Sequence, residues 1–253
     1  QDWTRALVRG RLEHPPLSGA EVVELDQRLR NRADSRWCEQ AQSDGLARPS
    51  RALARAHEAT VGHRVTRQDG VGWCYTLAPG HTRGSGADFT PPALIHYMVK
   101  ATLGRWLSAP GRTVADVLSM RLLDPACGAG MFLAEGLEYL TRWCAEQGET
   151  QEPGALASRV LVGLDVDPRA VATARRVIAL RVAELGGHVA PASLEVAVRV
   201  GNTLVPGTLD GTFDVVLGTP PYVFGEYVGK EAKAQWATHF SLGRAGQPDA
   251  FKL

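Results

Sequence analysis

Four short apolar runs, each followed by a loop of small or acidic residues, constrain the fold of this chain more than any other feature. They occupy residues 121–123, 160–164, 194–200 and 213–217. Residues 131–144 and 168–185 lie between them and carry apolar residues at helical spacing, with Pro168 at the first turn of the second. Apolar strands alternating with helices predict an α/β fold with a doubly wound, mostly parallel sheet, since parallel strands need crossover connections and are covered on both faces. The 253 residues are enough for one large domain, or for a domain with an appendage.

Residues 1–78 are rich in Arg, Ala and Leu and read as a helical appendage, with helices expected over 20–29 and 49–59. Residues 79–253 read as the second domain, opening on an exposed loop over 79–86. Phe89-Thr90-Pro91-Pro92 then starts a helix, with Thr90 as the expected N-cap. Leu94, Ile95, Met98, Val99, Leu103 and Trp106 form its expected buried face. Hydrophobic residues make up 44% of the chain, charged ones 22%, and the net charge is +1, so no global basic signature points to nucleic acid. Cys38, Cys74, Cys127 and Cys144 make no C-x-x-C pair, so neither a zinc site nor a disulfide framework is indicated. Without a signal peptide or a long apolar run, a reducing cytoplasmic setting and no membrane are expected. With Gln1 in place of Met, the chain is expected to be an excerpt or a processed product.

The chemistry is concentrated where the strands end. The first run leads into Asp124-Pro125-Ala126-Cys127-Gly128-Ala129-Gly130-Met131, a loop whose small residues allow a ligand close to the backbone. A dinucleotide loop would have a third glycine at position 133, which is Leu133. Asp124 would repel a pyrophosphate and suits a cationic ligand, one with an ammonium and a sulfonium. Asp165, after the second strand, is placed to reach ribose hydroxyls, and Val166 to pack on an adenine face. Asp167, before Pro168, reads as a helix N-cap. After the third strand, the Asn202 amide can hydrogen-bond an adenine edge, although Gly201-Asn202-Thr203-Leu204 is also ordinary turn chemistry.

After the fourth strand come Thr219-Pro220-Pro221-Tyr222. Consecutive prolines cannot extend a ladder, so the backbone leaves the sheet as a stiff loop with unpaired carbonyls beside an aromatic ring. Such a platform suits a planar ring bearing an amine, such as a nucleobase. A proline-rich strand exit with a packed tyrosine is the plainer reading of the same residues.

The ordered set resembles the S-adenosylmethionine-dependent amino-methyltransferases of DNA. It looks most like N6-adenine methylases whose cofactor motifs precede the catalytic one, as in type I modification subunits and fused restriction–modification enzymes. The resemblance covers about residues 79–253 and implies a class I methyltransferase fold, Rossmann-like, with its sheet incomplete in this chain. It implies that Phe89, Thr90 and Pro91, with Asp124, Ala126, Cys127, Gly128 and Gly130, hold the methionine part of S-adenosylmethionine. Asp165 and Val166 would hold the ribose and adenine, and Asn202 and Thr203 the adenine edge. Gln247-Pro248-Asp249-Ala250-Phe251 resembles the helix start after the catalytic loop.

In the family an Asn or Asp stands before Pro-Pro-Tyr, and in some cytosine-N4 enzymes a Ser; here it is Thr219. The implied roles are amine holding by Thr219 and the Pro220 carbonyl, and stacking of Tyr222, supported by Pro221, on a flipped base. Thr219 leaves open cytosine-N4 chemistry, a weakened adenine enzyme, an inactive form, a module that only binds nucleic acid, or RNA or protein amides as substrates. DNA is the implied partner, within a restriction–modification or phage-defence system, with a specificity or nuclease subunit or fused domain beside it.

Overall fold

A computed structural model describes residues 48–60, 63–68, 72–77 and 90–220. The chain divides into two compact units, Gln1–Gly84 and Ser85–Leu253. In the first unit, helix α1 spans Pro49–Thr60, as the sequence predicts. Strands β1 (His63–Gln68) and β2 (Gly72–Leu77) then pair antiparallel, with His63 opposite Leu77 and Gln68 opposite Gly72. The helical reading of residues 1–78 overlooks this ladder. Its sequence signal is the Asp69-Gly70 dipeptide between runs containing Val, Thr, Trp and Tyr. The helix expected over 20–29 lies outside the described residues.

The second unit begins with α2 (Pro92–Leu107) and α3 (Val114–Ser119). Strand β3 (Leu122–Asp124) leads to α4 (Met131–Glu146), and α5 (Pro153–Val160) to β4 (Leu161–Asp165). Then follow α6 (Pro168–Glu184), α7 (Pro191–Ala197), β5 (Val198–Val200) and β6 (Val215–Val216). The four strands form one parallel sheet in the order β5-β4-β3-β6. From β3 the chain steps outward to β4 and β5, then returns to the other side of β3 as β6. Such a reversal creates a crevice at the carboxyl ends of the strands, where open α/β sheets bind ligands. The two strands that flank it are β3, which ends in Asp124, and β6, which leads to Thr219.

The strands are short but buried. Leu122, Leu123, Leu161, Leu164, Val198 and Val215 all lie in the core. Helix α4 covers β3 and β4, and α6 covers β4 and β5 and packs on α4. Between these helices Arg181 is fully buried and pairs with Glu135, Glu138 and, at 3.0 Å, Glu184. Burying a guanidinium without partners is costly, and the surrounding carboxylates are what make its burial tolerable.

Four sequence expectations are corrected. Residues 194–197 are helical and only Val198–Val200 is strand. Pro191 starts the helix, and Leu194 and Ala197 turn inward at a spacing of three while Val196 is exposed, so the helical period wins over alternation. Val160 closes an unforeseen helix, capped by Glu152, whose carboxylate accepts from the Ala155 amide at 2.6 Å. The N-cap of α2 is Pro91, without a side-chain cap, so Thr90 stands one residue before the cap. The buried face of α2 is Ile95, Val99, Leu103 and Leu107, with Leu94 45% exposed.

Candidate functional site

The glycine loop is built by hydrogen bonds from the strands around it. The Cys127 amide donates to the Leu164 carbonyl at 2.8 Å, tying the loop to β4. The Gly128 amide donates to Asp165 Oδ2 at 2.9 Å. Gly128 has φ +51° and Gly130 φ +79°, conformations that favour glycine. At Gly128 a Cβ would meet open space. At Gly130 it would come 2.9 Å from the Ala174 Cβ of α6, so the loop lies directly on that helix. The helix start that follows offers free backbone N–H groups.

Asp124 is fully buried at the base of this loop. Its Oδ1 accepts from the Ala126 amide at 3.2 Å, whereas Oδ2, also buried, has no hydrogen-bond partner among the described residues. Burial raises the carboxyl to about 7, against the Ala126 hydrogen bond, and the charge of Asp165 adds to the rise. Cys127 is buried beside these acids, and burial pushes its thiol up. A protonated, enclosed thiol is a packing group and not a nucleophile.

Both Asp165 oxygens hold backbone amides, Oδ2 that of Gly128 and Oδ1 that of Asp167 at 2.9 Å. A carboxylate accepts about four hydrogen bonds, so capacity for a hydroxyl remains. Val166 is 66% exposed beside it. Asp167 caps α6 by accepting from the Arg169 amide, as its place before Pro168 predicts. After β5, the Gly201 amide donates to the Asp165 carbonyl at 2.9 Å. Exposed Asn202 accepts from the Leu204 amide through Oδ1, and Thr203 donates its hydroxyl to the Pro125 carbonyl at 3.2 Å. Thr203 thus links the loop after β5 to the glycine loop.

At the exit of β6 the Leu217 amide still bonds the Leu123 carbonyl at 2.8 Å. Gly218 then crosses the Asp124 carboxyl so closely that any Cβ there would collide with it. Half-buried Thr219 follows, its Oγ1 2.9 Å from Thr90 Oγ1, and Pro220 is exposed. The structure therefore draws Thr90, Asp124 and Thr219 together at one carboxyl edge, and Asp165, Asn202 and Thr203 at the ends of β4 and β5. Phe89, Pro221, Tyr222 and residues 247–251 lie outside the described residues. Sequence reasoning missed Gly218, whose signal is a glycine placed immediately before the proline loop. It also missed Ala174, the small residue under Gly130, and the Arg181 network, signalled by Glu135 and Glu138 within a largely apolar helix.

A family model for N-6 DNA methylases matches residues 74–249, well over half of the chain. The chain belongs to the N-6 DNA methylase family. Among curated proteins no sequence matches it significantly. A DrdV–DNA complex aligns with a TM-score of 0.55 and 18% identity, over 80% of this chain and 20% of that one. The type I restriction enzyme EcoKI M protein aligns at 0.39 and 19%, over 68% and 36% respectively. The ATP-dependent type ISP restriction-modification enzyme LlaBIII bound to DNA aligns at 0.42 and 17%, over 53% and 10%. This chain thus spans between a tenth and about a third of those proteins.

The site of this N-6 DNA methylase chain fits S-adenosylmethionine on its own chemistry. The buried, unpartnered oxygen of Asp124 calls for a cation, and it disfavours the phosphates that a glycine loop otherwise attracts. The sheet is the Rossmann-like sheet of class I methyltransferases, here with four parallel strands among the described residues.

Proposed function

We propose that this chain transfers a methyl group from S-adenosylmethionine to the exocyclic amine of a DNA base, adenine N6, within a restriction–modification or phage-defence system. The observation that carries the reading is the meeting of Asp124, Gly218 and Thr219 where β3 and β6 end. The acid that would receive the cationic cofactor and the threonine that would receive the amine are separated by a single glycine contact. Membership of the N-6 DNA methylase family supports adenine as the base.

In this reading Asp124 and the loop through Ala126, Cys127, Gly128 and Gly130 hold the methionine part of the cofactor, with Phe89, Thr90 and Pro91 beside them. Asp165 takes the ribose hydroxyls, Val166 the adenine face, and Asn202 and Thr203 flank the adenine edge. The cofactor supplies an electrophilic methyl group on a sulfonium. Thr219 Oγ1 and the Pro220 carbonyl accept the amine hydrogens, leaving the nitrogen lone pair aimed outward for in-line displacement. Tyr222, with Pro221, stacks on the extruded base. Residues 79–253 form the catalytic domain. DNA-sequence recognition and cleavage belong to other domains or subunits of a cytoplasmic assembly.

Incubation of the chain with methyl-labelled S-adenosylmethionine and DNA, followed by digestion to nucleosides, tests this. The expected product is labelled N6-methyldeoxyadenosine. Label in cytosine, or only in RNA or protein offered in parallel, would refute the assignment.

A further inference from the structure

The Thr90 and Thr219 hydroxyls, 129 positions apart in the chain, lie 2.9 Å from each other and share one hydrogen bond of which either oxygen can be the donor. A hydroxyl has one proton and two lone pairs. If Thr219 accepts from Thr90, one lone pair is used and its own proton is left to face the site. If Thr219 donates, its proton is occupied and both lone pairs remain available. An amine whose nitrogen must keep its lone pair for attack offers only N–H hydrogens, so its holder has to accept. An amide or carboxylate at this position has an oxygen without a proton. A lone threonine is ambivalent.

We propose that Thr90 is a positioning residue for Thr219: it accepts the Thr219 proton and so turns that hydroxyl into a pure acceptor for the target amine. The inference rests on the amine-methylation reading above and deepens it. Three observations support the pair as a fixed unit. Thr90 precedes the N-cap of α2, and among the described residues its hydroxyl bonds Thr219 and no helix amide. Pro91 and Pro92 restrict the backbone that carries it. Thr219 follows Gly218, which is held against the Asp124 carboxyl, and the stiff χ1 of threonine limits both hydroxyl positions. As the acceptor, Thr90 keeps its own proton for another partner.

The test compares the full chain with Thr90→Val, Thr90→Ser, Thr219→Asn and the double variant combining Thr90→Val with Thr219→Asn, with Thr90→Ala replacing valine should that variant not fold. Single-turnover methyl transfer to adenine-containing DNA is measured at saturating S-adenosylmethionine, and cofactor affinity by calorimetry on the same proteins. Thr90→Val should slow transfer about tenfold with Thr219 present, the scale of one hydrogen bond, and by less than about twofold in the Thr219→Asn background. Thr90→Ser should retain the parent rate. An equal loss in both backgrounds overturns the proposal, and so does transfer that appears only once Thr219 is replaced by asparagine. A second readout needs no turnover: in urea unfolding, Thr90→Val with Thr219→Val should cost less than the sum of the single changes, and strict additivity contradicts the pair. Failure of every folded variant to methylate a DNA amine would instead overturn the underlying reading, and this inference with it.

Discussion

The two halves of the site are held by different means. On the cofactor side, the glycine loop is pinned to β4 through Leu164, to Asp165 through Gly128, to α6 through Gly130 and to the loop after β5 through Thr203. On the target side, a two-residue strand leads out over one glycine contact, and Thr219 has one described side-chain partner, Thr90. The first half is over-determined by the sheet. The second depends on a few contacts, as would suit the proposed role of a loop that admits and releases a base. The contrast also locates the energetic stakes, with backbone strain and burial on one side and a single hydroxyl pair on the other.

The largest effect is expected from Gly130→Ala, which combines a φ of +79° with a 2.9 Å approach to the Ala174 Cβ. It should cost roughly 2–4 kcal/mol in urea unfolding. Unchanged stability would mean that the loop is less tightly determined than its contacts imply. Gly218→Ala comes next. Its Cβ pushes on Asp124 Oδ1, the oxygen that accepts from the Ala126 amide of the loop, so calorimetry should find S-adenosylmethionine binding weakened about tenfold, with a loss in unfolding stability of about 1–3 kcal/mol. If binding stays unchanged, the two halves are not joined at Gly218. Val166→Ser should have the smallest effect, since it alters an exposed side chain that holds nothing else in the fold. A weakening of about threefold, without change in the unfolding midpoint, is the expected outcome.

The difference between the halves also explains what the sequence made legible. The strand ends could be read because each carries a local marker whose chemistry acts within a few residues: Asp124 with the glycines, Asp165 with Pro168, Gly201 with Asn202. The Asp167 cap was legible for the same reason. Thr90 and Thr219 were each identifiable, but their contact joins distant segments and no local pattern encodes it. Residues 194–197 misled because Val-rich alternation and an i, i+3 apolar pair coexist in so short a run, and packing on α5 and α6 selects the helix. The Arg181 network was overlooked because charged residues on amphipathic helices ordinarily face water, and Glu135 and Glu138 in a largely apolar helix are its one sequence trace.

The most direct measurement exploits Asp124. Its folded value near 7 lies above the ordinary carboxyl range, so the free domain holds an extra proton there between about pH 4 and 7. The contribution of Asp124 to stability is therefore full at acid pH and is lost as pH rises through 7, by at most about 1.4 kcal/mol per unit. A cation bound at this carboxyl needs it ionised, so binding must expel the proton. Calorimetric titration of S-adenosylmethionine at pH 6 and pH 8, in two buffers of different ionisation enthalpy, should find binding about tenfold weaker at pH 6 and accompanied by release of nearly one proton. Asp124→Asn should weaken binding at pH 8 and abolish the proton release. Absence of binding at either pH, or binding of equal strength at both without proton release, would contradict the assignment of Asp124 as the acid of a methyltransferase cofactor site.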